Sequence, residues 1–143
     1  RKSRGLGDVY KRQVEMGPKT DFGWEVHPPG LYDLLVQLKN DYKVETIFIT
    51  ENGCSYSDGP DEENKINDKR RIDYHRTHLI EIQKAINDGV ECKGYFAWSL
   101  MDNFEWAQGF SQRFGLIWVD FESLVRIPKE SYHWYKHYIS DNK

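Results

Sequence analysis

Thr46-Ile47-Phe48-Ile49-Thr50-Glu51-Asn52-Gly53-Cys54 is the stretch that decides the fold of this 143-residue chain. Thr46 to Ile49 is a short, apolar, β-branched run with the pattern of a buried strand, and it stops at a carboxylate. Asn52-Gly53 follows, a pair that favours positive φ and a sharp change of direction. The sequence thus holds Glu51 at the rigid end of a buried strand while the backbone turns away beneath it. Burying a carboxylate is costly unless it is hydrogen-bonded or serves a purpose. A glutamate that merely opens a loop is the plain alternative when these residues are taken alone.

The flanking sequence is periodic. Upstream, Pro28-Pro29-Gly30 leads into Leu31, Leu34, Leu35 and Leu38 at helical spacing, which predicts a helix ending near Asp41-Tyr42. The strand proper is expected over Val44–Thr50. Residues 54–67 are polar, acidic and rich in turn formers, so an exposed loop is expected. Asp68 reads as the cap of a helix reaching about Asn87, with Ile72, His75, Leu79, Ile82 and Ile86 along its buried stripe. Asp88-Gly89 ends it. Gly94–Trp98 reads as a second strand, and Phe114–Phe121 as a short extended pair. Pro128 stands where a last helix is expected to begin, with Tyr132, Tyr135 and Tyr138 at roughly helical spacing. Strands alternating with long helices imply right-handed crossovers and parallel pairing. Both strands are mainly apolar, as expected when both faces are covered. Glu51 and Trp98 fall at the carboxyl ends of their strands, where parallel α/β barrels place their sites.

Composition narrows the functional classes. Aromatic residues make up 15% of the chain, which suits sugar stacking and large cores alike. The net charge of −3 gives no reason to expect a nucleic-acid or anionic-membrane partner. No apolar stretch approaches the roughly 20 residues a membrane helix needs, and no secretory pattern opens the chain. Cys54 and Cys92 lie far apart without zinc-site spacing, so two free thiols in a reduced, cytoplasmic setting are expected. The pairs His75/His78 and His133/His137 lack carboxylates in register and read as ordinary helix surface rather than metal ligands. No metal or cofactor is expected. Residues 1–13 carry five basic residues against one Asp and stand apart from the rest. They read as a non-native or read-through tail, with a basic arm for nucleic acid as the alternative. Residues 14–143 read as part of one domain.

Six segments together resemble glycoside hydrolase family 1, the β-glucosidases and their relatives. They are Gly23-Trp24-Glu25-Val26-His27-Pro28, Ile49-Thr50-Glu51-Asn52-Gly53, Arg71-Ile72-Asp73-Tyr74, the block from Gly94 to Trp106, Arg113-Phe114-Gly115-Leu116 and Pro128-Lys129-Glu130-Ser131. The resemblance covers about residues 14–140. It implies a retaining β-glycosidase on a (β/α)8 barrel, with this α/β chain as the C-terminal part: about strands seven and eight and their flanking helices. By the same resemblance Glu51 is the nucleophile, Trp98 a platform under the sugar and Phe114 part of the wall. Glu105 would accept hydrogen bonds from sugar hydroxyls at C4 and C6, and Trp106 would donate its indole N–H to the C3 hydroxyl. Core packing is the alternative reading of Trp98 and Phe114.

The family's acid/base glutamate lies in an Asn-Glu-Pro motif, and that tripeptide is absent from this sequence. A missing N-terminal part of the same barrel is therefore the expected partner, and a small β-glycoside or oligosaccharide the expected substrate. A 6-phospho-β-glycosidase is the nearest alternative, disfavoured because a carboxylate at Glu105 would repel a phosphate. A sugar-binding module without catalysis and a truncated, inactive product are the others.

Overall fold

A computed structural model describes residues 17–142. Its elements run α1 (Pro28–Asn40), β1 (Ile47–Asn52), α2 (Lys69–Asn87), β2 (Cys92–Ala97), β3 (Ile117–Val119), β4 (Arg126–Pro128) and α3 (Glu130–Asp141). The basic segment 1–13 lies outside the described residues.

β1 and β2 pair in parallel through the α2 crossover, as the alternation of strand and helix predicts. Leu35 of α1, Leu79, Ile82 and Ala85 of α2, and Val90 form the buried core, against which Ile47, Ile49, Cys92 and Tyr95 pack from the sheet. Trp134 and Tyr138 of α3 close it from the other side. α1 is tied to the C-cap of α2 at Asp88, whose carboxylate accepts from Tyr32 Oη at 2.6 Å and whose carbonyl accepts from Lys39 Nζ at 2.8 Å.

Only one face of the sheet is covered among the described residues, contrary to the expectation of two. Phe48 and Phe96 are 55% and 57% exposed on the other side. That is the geometry of two adjacent strands of a barrel, whose inner face is closed only by the remaining strands.

Several local expectations are corrected. β1 continues through Glu51 to Asn52 instead of ending before the carboxylate. The segment 114–121 holds one short strand, Ile117–Val119, whose antiparallel partner is Arg126–Pro128; Pro128 belongs to that strand, and the last helix begins at Glu130. In α2 the buried stripe is Arg71, His75, His78, Leu79, Ile82 and Ala85, while Ile86 is exposed. His75 and His78 therefore face inward and are not surface residues. Asp68 occupies the N-cap position, yet its carboxylate makes no cap bond. It accepts instead from Arg71 Nε at 2.9 Å, Ser131 N at 2.9 Å and Ser131 Oγ at 2.6 Å, joining α2 to α3. A fully buried charge needs such partners, and long-range ones outcompete the local amide here.

The polar loop 54–67 is anchored, not simply exposed. Cys54, Ser55, Tyr56 and Ile66 are all buried. Arg71, itself fully buried, donates to the carbonyls of Cys54, Tyr56 (3.0 Å), Arg113 (3.1 Å) and Phe114 (3.4 Å). One guanidinium thus clamps the loop after β1 to the strand-like segment that carries Phe114. Five donors in a rigid fork suit this task in a way a lysine could not.

Candidate active site

Glu51 reaches its place through an irregularity in the parallel ladder. Ile49 pairs with Tyr95 and Asn52 with Ala97, so β1 spends one more residue than β2 between these contacts. Such a bulge re-aims side chains. Ile47 and Ile49 face the helices, whereas Thr50 and Glu51 are both exposed on the open side and Asn52 turns back toward α2. Neither Asn52 nor Gly53 has the positive φ expected of the pair; glycine is required for space instead, since a Cβ on Gly53 would lie 1.8 Å from the Trp98 carbonyl oxygen. The ends of β1 and β2 are thereby held in contact, and Trp98 N donates to Asn52 O at 2.9 Å.

Beyond Trp98 the chain folds back on itself. Ser99 N donates to Phe114 O at 3.1 Å and Leu116 N to Ser99 O at 2.9 Å. Asp102 is the buried hub of this fold-back, accepting from Arg113 Nη1 (2.7 Å), Gly115 N (2.9 Å) and Lys129 Nζ (3.1 Å). Burial, with the nearby Arg71 charge, pulls the Lys129 ammonium down to about 8. Gly115 is required here as well, since a Cβ would meet Asp102 N at 2.1 Å. The result presents Phe114, only 3% exposed, at the floor of a cleft, with Trp24 packed on it at 5.9 Å between ring centroids.

The cleft has a volume of about 520 Å³, and all five residues singled out from the sequence line it: Glu51, Trp98, Glu105, Trp106 and Phe114. Glu105 already has one partner within the chain. Its Oε1 accepts from Trp98 Nε1 at 3.2 Å, which leaves Oε2 for an incoming donor. Trp106 follows in a tight turn closed by Glu105 N to Gly109 O (2.7 Å) and Gly109 N to Trp106 O (3.1 Å). Its φ is +44°, a left-handed conformation that costs a bulky residue of order 1 kcal/mol or more. The strain holds an indole that is 85% exposed at the rim.

Four further residues line the same cleft: Trp24 and Tyr74, which received no role from the sequence, and Asn52 and Gly53, which were read only as a change of chain direction. Each stands inside a motif already quoted, but only their convergence in space gives them a place. Cys54, next to the turn, is no competing nucleophile, because burial pushes its thiol up to about 12. No cluster of His, Cys, Asp or Glu able to hold a metal ion occurs among the described residues. No helix among them is long and apolar enough to cross a membrane.

Two carboxylates, Glu51 and Glu105, thus share an aromatic cleft at the carboxyl end of the parallel strands. Comparison with known proteins shows the family. The family model described as glycosyl hydrolase family 1 matches residues 3–143. The 1,4-beta-D-glucan glucohydrolase of Thermotoga neapolitana is 48% identical over 125 residues, covering 87% of this chain. The 6-phospho-beta-galactosidase of Staphylococcus haemolyticus is 50% identical over 134 residues, covering 92%. Among solved structures, the family 1 β-glucosidase of Thermotoga maritima superposes with a TM-score of 0.86 at 46% identity over 87% of the chain. The chain spans only 28–29% of the length of these proteins.

Proposed function

The chain belongs to glycosyl hydrolase family 1 and has the fold of part of its (β/α)8 barrel, and from that premise we propose that it carries the nucleophile and glycone pocket of a retaining β-glucosidase. The observation that carries this reading is the convergence of Glu51, Trp98, Glu105, Trp106 and Phe114 on one cleft. In the proposed reaction Glu51 attacks the anomeric carbon and displaces the aglycone oxygen, forming a glycosyl ester. A second carboxyl group, about 5–5.5 Å away in enzymes of this stereochemistry, protonates the leaving oxygen and then activates the water that hydrolyses the ester. The sequence holds no Asn-Glu-Pro, so this group comes from the rest of the barrel. Placing Glu51 on a strand end, with the ends of β1 and β2 locked together, supplies the positional accuracy the attack needs.

Trp98 serves two purposes in this scheme: its ring offers an apolar platform, and its N–H aims Glu105. The free Glu105 oxygen and the Trp106 indole then meet sugar hydroxyls, which are both donors and acceptors. Residues 14–143 are accordingly one part of a single barrel domain, with the remainder of that barrel as its structural partner.

A second reading, a 6-phospho-β-glycosidase, is favoured by the similarity to the Staphylococcus haemolyticus protein. Against it stands the charge of the cleft. Two carboxylates line it, and no Lys or Arg does among the described residues. A phosphate there would face repulsion from both carboxylates. The test is to recover the complete reading frame from flanking DNA, express it, and compare aryl β-glucoside with aryl 6-phospho-β-galactoside. Preferred turnover of the unphosphorylated substrate is expected; preference for the phosphorylated one would replace this reading with the second.

A further inference from the structure

Behind Glu51 a line of polar side chains runs from the interior of α2 to the strand end. His75 Nδ1 lies 2.8 Å from Tyr95 Oη, Tyr95 Oη lies 2.8 Å from Asn52 Oδ1, and Asn52 Nδ2 lies 3.3 Å from Tyr74 Oη. His75 is fully buried, and burial, together with the Arg71 and His78 charges, holds it neutral. The order of protons along this line follows from counting partners. If His75 donates from Nδ1, Tyr95 is free to donate to Asn52 Oδ1, and only the lone pair on the buried His75 Nε2 lacks a partner. The reverse order would strand an N–H on Nε2 and leave Asn52 Oδ1 without a donor. A second unsatisfied buried group is costly, so the first order prevails.

The terminus of this line is the residue beside the proposed nucleophile. Asn52 is fixed through its amide oxygen by Tyr95, through its amide nitrogen by Tyr74, and through its main-chain oxygen by Trp98 N at 2.9 Å. Asn52 and Glu51 both line the cleft, but the Asn52 amide is taken up by these partners, whereas the Glu51 carboxylate is left open on the exposed side of the bulge. A hydrogen-bonded line polarises along its length and stiffens the group at its end. We propose that Tyr95 and Asn52, backed by His75, are positioning residues that hold the bulged end of β1 so that the Glu51 carboxylate meets the anomeric carbon at the correct place.

This proposal rests on Glu51 being the nucleophile, and the experiment separates the two. In the complete protein, a 2-deoxy-2-fluoro-β-glucoside traps the glycosyl ester, and peptide mapping locates it. Steady-state kcat and KM for an aryl β-glucoside are measured alongside. The parent protein is expected to be labelled on Glu51. Tyr95→Phe removes one oxygen and keeps the ring; it is expected to lower both the trapping rate and kcat by about 10–100-fold, with KM within about threefold. Asn52→Ala should do the same, and the double variant should be no slower than the slower single, since both act through one brace. Asn52→Ala also carries the test if Tyr95→Phe does not fold. Label on another carboxylate in the parent overturns the assignment of Glu51. Label on Glu51 with single-variant rates within twofold of the parent, or losses that multiply in the double variant, overturns the brace.

Discussion

Substituting Gly53 by alanine adds one methyl group at the point where the ends of β1 and β2 touch. The new Cβ would lie 1.8 Å from the Trp98 carbonyl oxygen, 2.8 Å from its carbonyl carbon and 3.3 Å from its Cβ. Ordinary contact begins near 3.4 Å, so the two strand ends must separate by roughly 1.6 Å to relieve the overlap. The obstacle is mostly backbone and cannot swing aside as a flexible side chain would. The Trp98 N to Asn52 O bond of 2.9 Å joins the same two strand ends, and the Trp98 indole aims Glu105, so the shift moves both carboxylates of the cleft. A displacement of about 1 Å at a reacting group is enough to cost on the order of 10² in rate, and overpacking of this kind costs about 1–3 kcal/mol in stability. In the complete barrel, Gly53→Ala is therefore expected to lower kcat/KM for an aryl glucoside by at least about 100-fold, with a measurable fall in denaturant midpoint. A Gly53→Ala protein with kcat/KM within about threefold of the parent would show that the contact between the strand ends is not what positions Glu51.

Four further outcomes follow from the same geometry. Glu105→Ala should reduce kcat/KM for glucosides by on the order of 10², and much less for 6-deoxyglucosides, which lack one of its expected partners; equal losses on both would remove Glu105 from glycone recognition. Arg71→Met should destabilise the protein by about 3–5 kcal/mol in a denaturant titration, because Asp68 is left buried without its cation and four carbonyls lose a donor. His75 is neutral when folded, its value depressed to about 3 from an ordinary 6.5; the stability this carries is complete above pH 6.5 and is lost as pH falls toward 3, by up to roughly 3–5 kcal/mol, so His75→Gln should flatten an acid-unfolding profile in that window. The 143-residue chain alone should show no turnover of an unactivated disaccharide and should bind hydrophobic dye through Phe48, Phe96 and Leu100, all more than half exposed; sharp melting with steady turnover would contradict this.

Much of the architecture was legible because its signals are local. Leucines at helical spacing gave α1, the apolar runs gave β1 and β2, and the strand–helix alternation gave parallel pairing. The five candidate site residues were legible for a different reason, since they stand in motifs whose likeness to a family does not depend on knowing the contacts. What the sequence hid was long-range polar pairing. Asp68 carries the composition of a helix cap, and only the arrival of Ser131, 63 residues later, shows why its carboxylate turns elsewhere. The loop 54–67 reads as solvated because its charges are counted along the chain, whereas Arg71 buries its start from outside. Glu105 finds Trp98 only after the chain has doubled back.

The bulge at Thr50-Glu51 is the deepest of these hidden features, and it joins fold to chemistry. Strict alternation from Ile47 and Ile49 would carry Glu51 to the helix-facing side, where a carboxylate would displace apolar packing and could touch no substrate. Nothing in the apolar pattern announces the extra residue. Yet the ladder accommodates it between Ile49 and Asn52, and the exposed residues become Thr50 and Glu51 in succession. The same insertion sends Asn52 backward into Tyr95 and Tyr74. One additional residue thus gives two adjacent cleft-lining side chains different surroundings: Asn52 is bonded to Tyr95 and Tyr74, and Glu51 is left open. Gly53 then has to be the next residue, because the bulged strand end is pressed against Trp98 at a distance no side chain could share. The order Glu-Asn-Gly thus joins a carboxylate left open to the cleft, an amide bonded to Tyr95 and Tyr74, and the gap that lets the two strands meet.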